Sequence, residues 1–157
     1  MLQKLKNKLK DQKGFTLIEL LAVIVILGII AAIAIPSILG LIQNSKDDAQ
    51  VANAQQMISA ARNAVAQGDV TWGTTDATKN TAEVQLGTGL IDKGYIEDIK
   101  NPVSGATYNL TTSKVVVTKS VSGSTTKFTY TVTLKGTENS VSKTYIDDRL
   151  SSELKRD

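Results

Sequence analysis

With 157 residues the chain has room for one small domain and little else. It contains no cysteine and no histidine, which excludes a structural disulfide, a thiol nucleophile and the usual Cys/His zinc site. Its net charge of +3 is unevenly placed: residues 1–14 hold Lys4, Lys6, Lys8, Lys10 and Lys13 against Asp11, a net +4, while residues 15–157 sum to −1, so the basic pI argues only weakly for a nucleic-acid partner.

From Leu20 to Ile35 the sequence runs sixteen residues without a polar side chain, and adding Phe15 to Glu19 makes a 21-residue segment. At ~1.5 Å per residue such a helix covers about 31 Å, enough to cross the hydrocarbon core of a bilayer. Five lysines precede it, whereas Lys46, Asp47 and Asp48 follow some way beyond, which predicts a cytoplasmic N-terminus and an exterior bulk. No small-residue cleavage site stands close to the end of the run, so the apolar region is expected to remain in the mature chain.

The helical pattern continues. Val51, Ile58 and Val65 recur at intervals of seven with Ala54 and Ala61 between them, predicting one apolar stripe on a helix that reaches about Gln67 and stops at Gly68. A helix from Phe15 to Gln67 would approach 80 Å at ~1.5 Å per residue, a length that calls for a coiled-coil, membrane or filament setting. Gly28, Pro36 and Gly40 are its weak points. Pro36 lacks an amide proton and crowds the preceding turn, which predicts a kink or a locally melted stretch over residues 32–40.

The sharpest signal is Lys13-Gly14-Phe15-Thr16-Leu17-Ile18-Glu19-Leu20. Glu19 places a carboxylate at the start of a run otherwise fit for lipid, where it must snorkel, take up a proton or be matched by positive charge. Cutting the Gly14–Phe15 bond would create an α-amino group able to supply that charge, in the same chain or a neighbour. Gly14 carries no Cβ to obstruct a peptidase.

KGFTLIEL followed by the apolar run to Pro36 resembles the class III signal of type IV prepilins and their pseudopilin relatives, closely over residues 13–40 and only in organisation beyond. The resemblance implies that a membrane prepilin peptidase cuts between Gly14 and Phe15 and methylates the new terminus at Phe15. It also implies that Glu19 is the assembly glutamate and that Pro36 is the proline that kinks the helix. The partners it implies are other copies of the chain, minor pilins, the prepilin peptidase, an inner-membrane assembly platform, and membrane lipid before assembly; DNA or a host surface stays open. In such a filament, Gly28, Ala31, Ala32, Ala34 and Gly40 would let helices approach closely.

Beyond Gly68 the chain turns irregular and rich in Thr and Ser, with Trp72 expected to plug a loop. Ala82 to Leu90 reads as a short helix or turn, and Asn101-Pro102 with Ser104-Gly105 as a turn. Lys114 to Lys119, Thr126 to Leu134 and Val141 to Ile146 read as three strands, separated at Ser122-Gly123-Ser124 and Lys135-Gly136, with Ala106 to Leu110 as a candidate edge strand. On the second of these, Phe128, Tyr130, Val132 and Leu134 should share one face, which the Val51/Ile58/Val65 stripe would cover.

The expected architecture is α+β: a basic leader over residues 1–14, a membrane or assembly helix over 15–40, and a head over 41–157 that includes the rest of the helix. No catalytic constellation and no cofactor motif is present. Asp47-Asp48 and Asp147-Asp148 read as solvated pairs, with loop-held calcium as the open alternative. The expected function is a subunit of a type IV pilus or competence-type filament, made as a cytoplasmic-membrane precursor and assembled outside the cell. The alternatives are a pseudopilin of a type II-like secretion system and a membrane-tethered surface binding protein that never polymerises.

Overall fold

A computed structural model describes residues 17–74 and 79–154. Contacts divide the chain into two compact units, residues 1–43 and 44–157. One helix, α1 (Leu17–Ala66), contributes to both. It is α-helical without interruption through Pro36, so residues 32–40 are not locally melted and a kink there would be one of angle alone. In the first unit nearly every side chain from Leu17 to Gln43 faces outward, with Ala31 and Ala34 half-buried.

In the second unit, α1 ends as the sequence predicts. Gly68 takes a left-handed φ of 75°, its N–H donates to the Val65 carbonyl at 3.0 Å, and Asp69 N–H donates to the Ala64 carbonyl at 2.9 Å. These two bonds are the paired closure of a Schellman motif, in which glycine adopts the required φ without a Cβ penalty.

A six-stranded antiparallel sheet packs on this part of the helix. Its strands are β1 (Gly73–Thr74), β2 (Lys79–Gln85), β3 (Thr107–Tyr108), β4 (Lys114–Ser122), β5 (Thr125–Glu138) and β6 (Val141–Leu150). The order is β1-β2-β4-β5-β3, with β6 also paired to β5. The three long strands and the small edge strand fall where alternation predicts them, but β2 replaces the start of the expected helix or turn over 82–90. Ala82 and Val84 point into the core from β2, and a π-helix, Leu86–Ile91, follows directly.

Lys135-Gly136 is not a turn. It lies inside β5, where Gly136 pairs with both Tyr108 and Lys143. A Cβ on Gly136 would collide with the Thr107 carbonyl oxygen and lie 2.9 Å from Tyr145 Cε2, so glycine serves close strand approach here. The β5–β6 turn is Asn139-Ser140, with φ of 49° and 66°, the twist of a two-residue hairpin loop. Between Leu134 and Val132 the β6 register slips, and Asp147-Asp148 occupies that bulge, with Asp148 at φ 43° and its N–H donating to Thr133 Oγ1 at 3.3 Å.

The core joins Met57, Ile58, Ala54 and Ala61 of α1 to Val115, Val117, Val132, Leu134 and Leu86. Ala54, Ile58 and Ala61 of the expected stripe are buried, whereas Val51 and Val65 pack only at the core's edge; the buried face is wider and also takes in Gln50, Met57, Ala60 and Ala64. Val132 and Leu134 are buried as expected, Tyr130 is half-buried, and Phe128 is exposed where β5 runs on past the core. Trp72 packs against the core's rim, its ring 6.0 Å from Phe128 and the Lys119 ammonium 6.0 Å from its centre.

Candidate assembly site

Two regions carry chemistry: the N-terminal part of α1 and a polar clasp in the head. In the first, Leu17, Ile18 and Ile33 are 87%, 74% and 74% exposed, and no share of the most apolar stretch is buried. This is the one described helix long and apolar enough to cross a membrane. An apolar surface of that extent is stable in lipid or against other helices, not in water. Glu19 stands exposed in the first turn, where the helix dipole favours negative charge. Gly28 and Gly40 face open space, so nothing among the described residues requires glycine there. Gly14 and Phe15, the expected cleavage and methylation positions, lie outside the described residues.

In the head, side chains more than fifty positions apart converge. The Tyr108 hydroxyl donates to Gln50 Oε1 and accepts from Asn53 Nδ2 at 2.8 Å; Gln50 Nε2 donates to Asn101 Oδ1 at 3.0 Å, and Asn53 Nδ2 also reaches the Lys100 carbonyl at 3.1 Å. Tyr108 stands edge-on to Tyr145, their ring centres 6.0 Å apart. Burial pushes the Tyr108 hydroxyl up to about 12, since the phenolate would lose its hydration there. The clasp fixes the segment over residues 100–108 to α1. Sequence reasoning missed it because single Gln, Asn and Tyr residues carry no periodic signal.

A second tie closes the helix end. Lys93 Nζ lies 2.7 Å from Asp69 Oδ1 and 3.1 Å from the Asp69 carbonyl, and the Tyr95 hydroxyl donates to Asp69 Oδ2 at 3.1 Å. The Lys93 hydrogen bond holds the Asp69 carboxyl below its ordinary range, and burial together with Asp69 raises Tyr95. Among the described residues no group of three or more acidic side chains is placed to hold a metal ion.

An exposed apolar N-terminal helix continuing into a helix-on-antiparallel-sheet head fits a membrane precursor. A family model, the prokaryotic N-terminal methylation motif, matches residues 9–35. The chain is 37% identical over 98 residues to a fimbrial protein of Neisseria meningitidis, covering 61% of this chain and 55% of that one. It is 30% identical over 102 residues to the toxin coregulated pilin of Vibrio cholerae, covering 63% and 44%, and 46% identical over 57 residues to the type IV major fimbrial protein FimA of Dichelobacter nodosus, covering 36% of each. The chain spans about half the length of the curated relatives it matches, or less. No solved structure matches it. With the methylation motif, these likenesses make the chain similar to type IV pilins over its N-terminal part and support that superfamily. Its relatives are structural pilins and not enzymes.

Proposed function

We propose that this chain is a structural subunit of a type IV pilus or competence-type filament. It is made as a cytoplasmic-membrane precursor, cut by a prepilin peptidase between Gly14 and Phe15, methylated at Phe15, and polymerised outside the cell through α1. The observation that carries this is the methylation motif at the head of a helix whose apolar side chains, Ala31 and Ala34 aside, are exposed over residues 17–43. Such a surface needs lipid first and neighbouring helices afterwards, and transfer between the two trades one set of apolar contacts for another.

In this mechanism residues 1–14 are the leader, 15–40 the assembly helix and 41–157 the head. Glu19 neutralises the Phe15 amine of an adjacent subunit at docking. Small residues at Gly28, Ala31, Ala32, Ala34 and Gly40 admit neighbouring helices, and Pro36 provides the point of bending. An assembly platform in the inner membrane and minor pilins are the remaining partners. The names of the relatives favour a surface fibre over a secretion pseudopilin.

Intact-mass and N-terminal peptide analysis of protein in sheared surface filaments tests the route. The expected subunit begins at N-methylated Phe15. A filament subunit still carrying residues 1–14, or one trimmed beyond Ile35, would rule it out.

A further inference from the structure

The head carries a groove and a projection that fit each other only between copies. The groove, about 780 Å³, runs between α1 at Gln56, Ser59 and Asn63 and the segment from Tyr95 to Lys100. Solvent-facing helix surfaces are normally charged, yet from Ala49 to Gln67 the only ionisable side chain is Arg62. Depletion of charge is the mark of an interface core rather than of a solvated face. On the groove's rim stand Glu97 and Asp98, both exposed, and among the described residues no ion pair engages either one.

The projection is the β4–β5 hairpin. It turns at Gly123-Ser124, and every residue from Val121 to Phe128 is exposed. Its tip side chains are small, and from Lys114 to Thr137 there are four lysines and no acidic residue. Lys114 is engaged by Glu83 and Lys119 lies by Trp72, whereas Lys127 is exposed near the tip and forms no ion pair among the described residues.

We propose that the β4–β5 hairpin of one subunit seats in the α1/95–100 groove of the next, with Lys127 against Glu97 and Asp98. The two surfaces are different, so the contact is heterologous: it leaves a free groove at one end and a free hairpin at the other and extends into an open helical array instead of closing a dimer. Charge favours the register that sets Lys127 beside Glu97 and Asp98. The contact presupposes polymerisation through α1 and assigns a head-to-head surface within it.

The absence of cysteine makes the test direct. Filaments of a Ser124→Cys/Gln56→Cys variant, expressed without a wild-type copy and treated with a short bis-maleimide, should give a ladder of covalent multimers that neither single variant gives. Wild-type amounts of double-variant filament with no ladder would overturn the contact. As a second measurement, Lys127→Glu should lower sheared-filament yield about tenfold through like-charge repulsion, and combining it with Glu97→Lys and Asp98→Lys should restore it. Additive loss in the combined variant would overturn the contact even if the cysteine variant fails to assemble. Wild-type cells that yield no filament at all would instead remove polymerisation itself, a separate failure.

Discussion

Tyr108→Phe is the most informative single change in the head, because it deletes one oxygen and keeps the ring in place. The residue is 8% exposed and Gln50 is 4% exposed, so water does not readily replace what is lost. Without the hydroxyl, Gln50 Oε1 loses its donor, whereas Asn53 Nδ2 keeps the Lys100 carbonyl. One buried acceptor is therefore left unsatisfied and one donor is weakened. The expected cost is about 1–3 kcal/mol of head stability, and adding Gln50→Leu should cost less than the sum of the two changes, since removing both partners spares the stranded acceptor.

The pH dependence supplies an independent reading. The folded hydroxyl titrates at about 12 against roughly 10 when unfolded, so between those values the folded state holds a proton the unfolded state has lost. Stability from this group is complete below pH ~10 and falls as pH rises toward 12. Tyr95 and Tyr130 are shifted the same way, so Tyr108→Phe should shrink the alkaline loss without abolishing it. Urea unfolding of the full chain in detergent, at neutral pH and through pH 10–12, measures both effects. An unchanged midpoint together with an unchanged alkaline profile would refute the clasp.

Gly136→Ala should destabilise the head by about 1–3 kcal/mol, since its Cβ must displace the Thr107 backbone or the Tyr145 ring. Gly73→Ala is the matched control, its Cβ lying at an ordinary 3.6 Å from the Thr81 carbonyl oxygen, and equal midpoints for the two variants in the same unfolding assay would count against the close approach. Glu19→Ala should insert at least as well as wild type, because a carboxylate in the bilayer costs up to ~3 kcal/mol at its centre and less near its edge, yet surface filaments should be lost. Membrane fractionation and shearing decide this, and normal filaments built wholly from the variant would sink the assembly role of Glu19.

The sequence announces what repeats and conceals what does not. Alternation over Lys114–Lys119 and Val141–Ile146 leads directly to β4 and β6, and the sustained apolar run leads to α1. By contrast β2 offers only Ala82 and Val84 at period two, and it is a strand because β4 supplies an edge along its whole length, from Lys79↔Ser120 to Gln85↔Lys114. Gly136 carries the usual mark of a turn, but a Cβ-less residue also lets strands crowd together, and local sequence does not separate these uses. Packing likewise favours Met57, which fills the core fully, over Val51 and Val65 at its border. Motif spacing makes the Lys13–Leu20 signal legible, while the Gln50, Asn53, Asn101 and Tyr108 clasp exists only once the chain has folded back across more than fifty residues.

That clasp also frees the head from oxidative maturation. A domain closed by hydrogen bonds and packing, without cysteine, is indifferent to thiol oxidants and reductants alike. The hydrogen bonds that tie residues 100–108 to α1 can part and re-form with no covalent bond to reshuffle. A covalent staple would resist a greater load once. A reversible one resists moderate loads repeatedly, in aerated and anoxic surroundings alike.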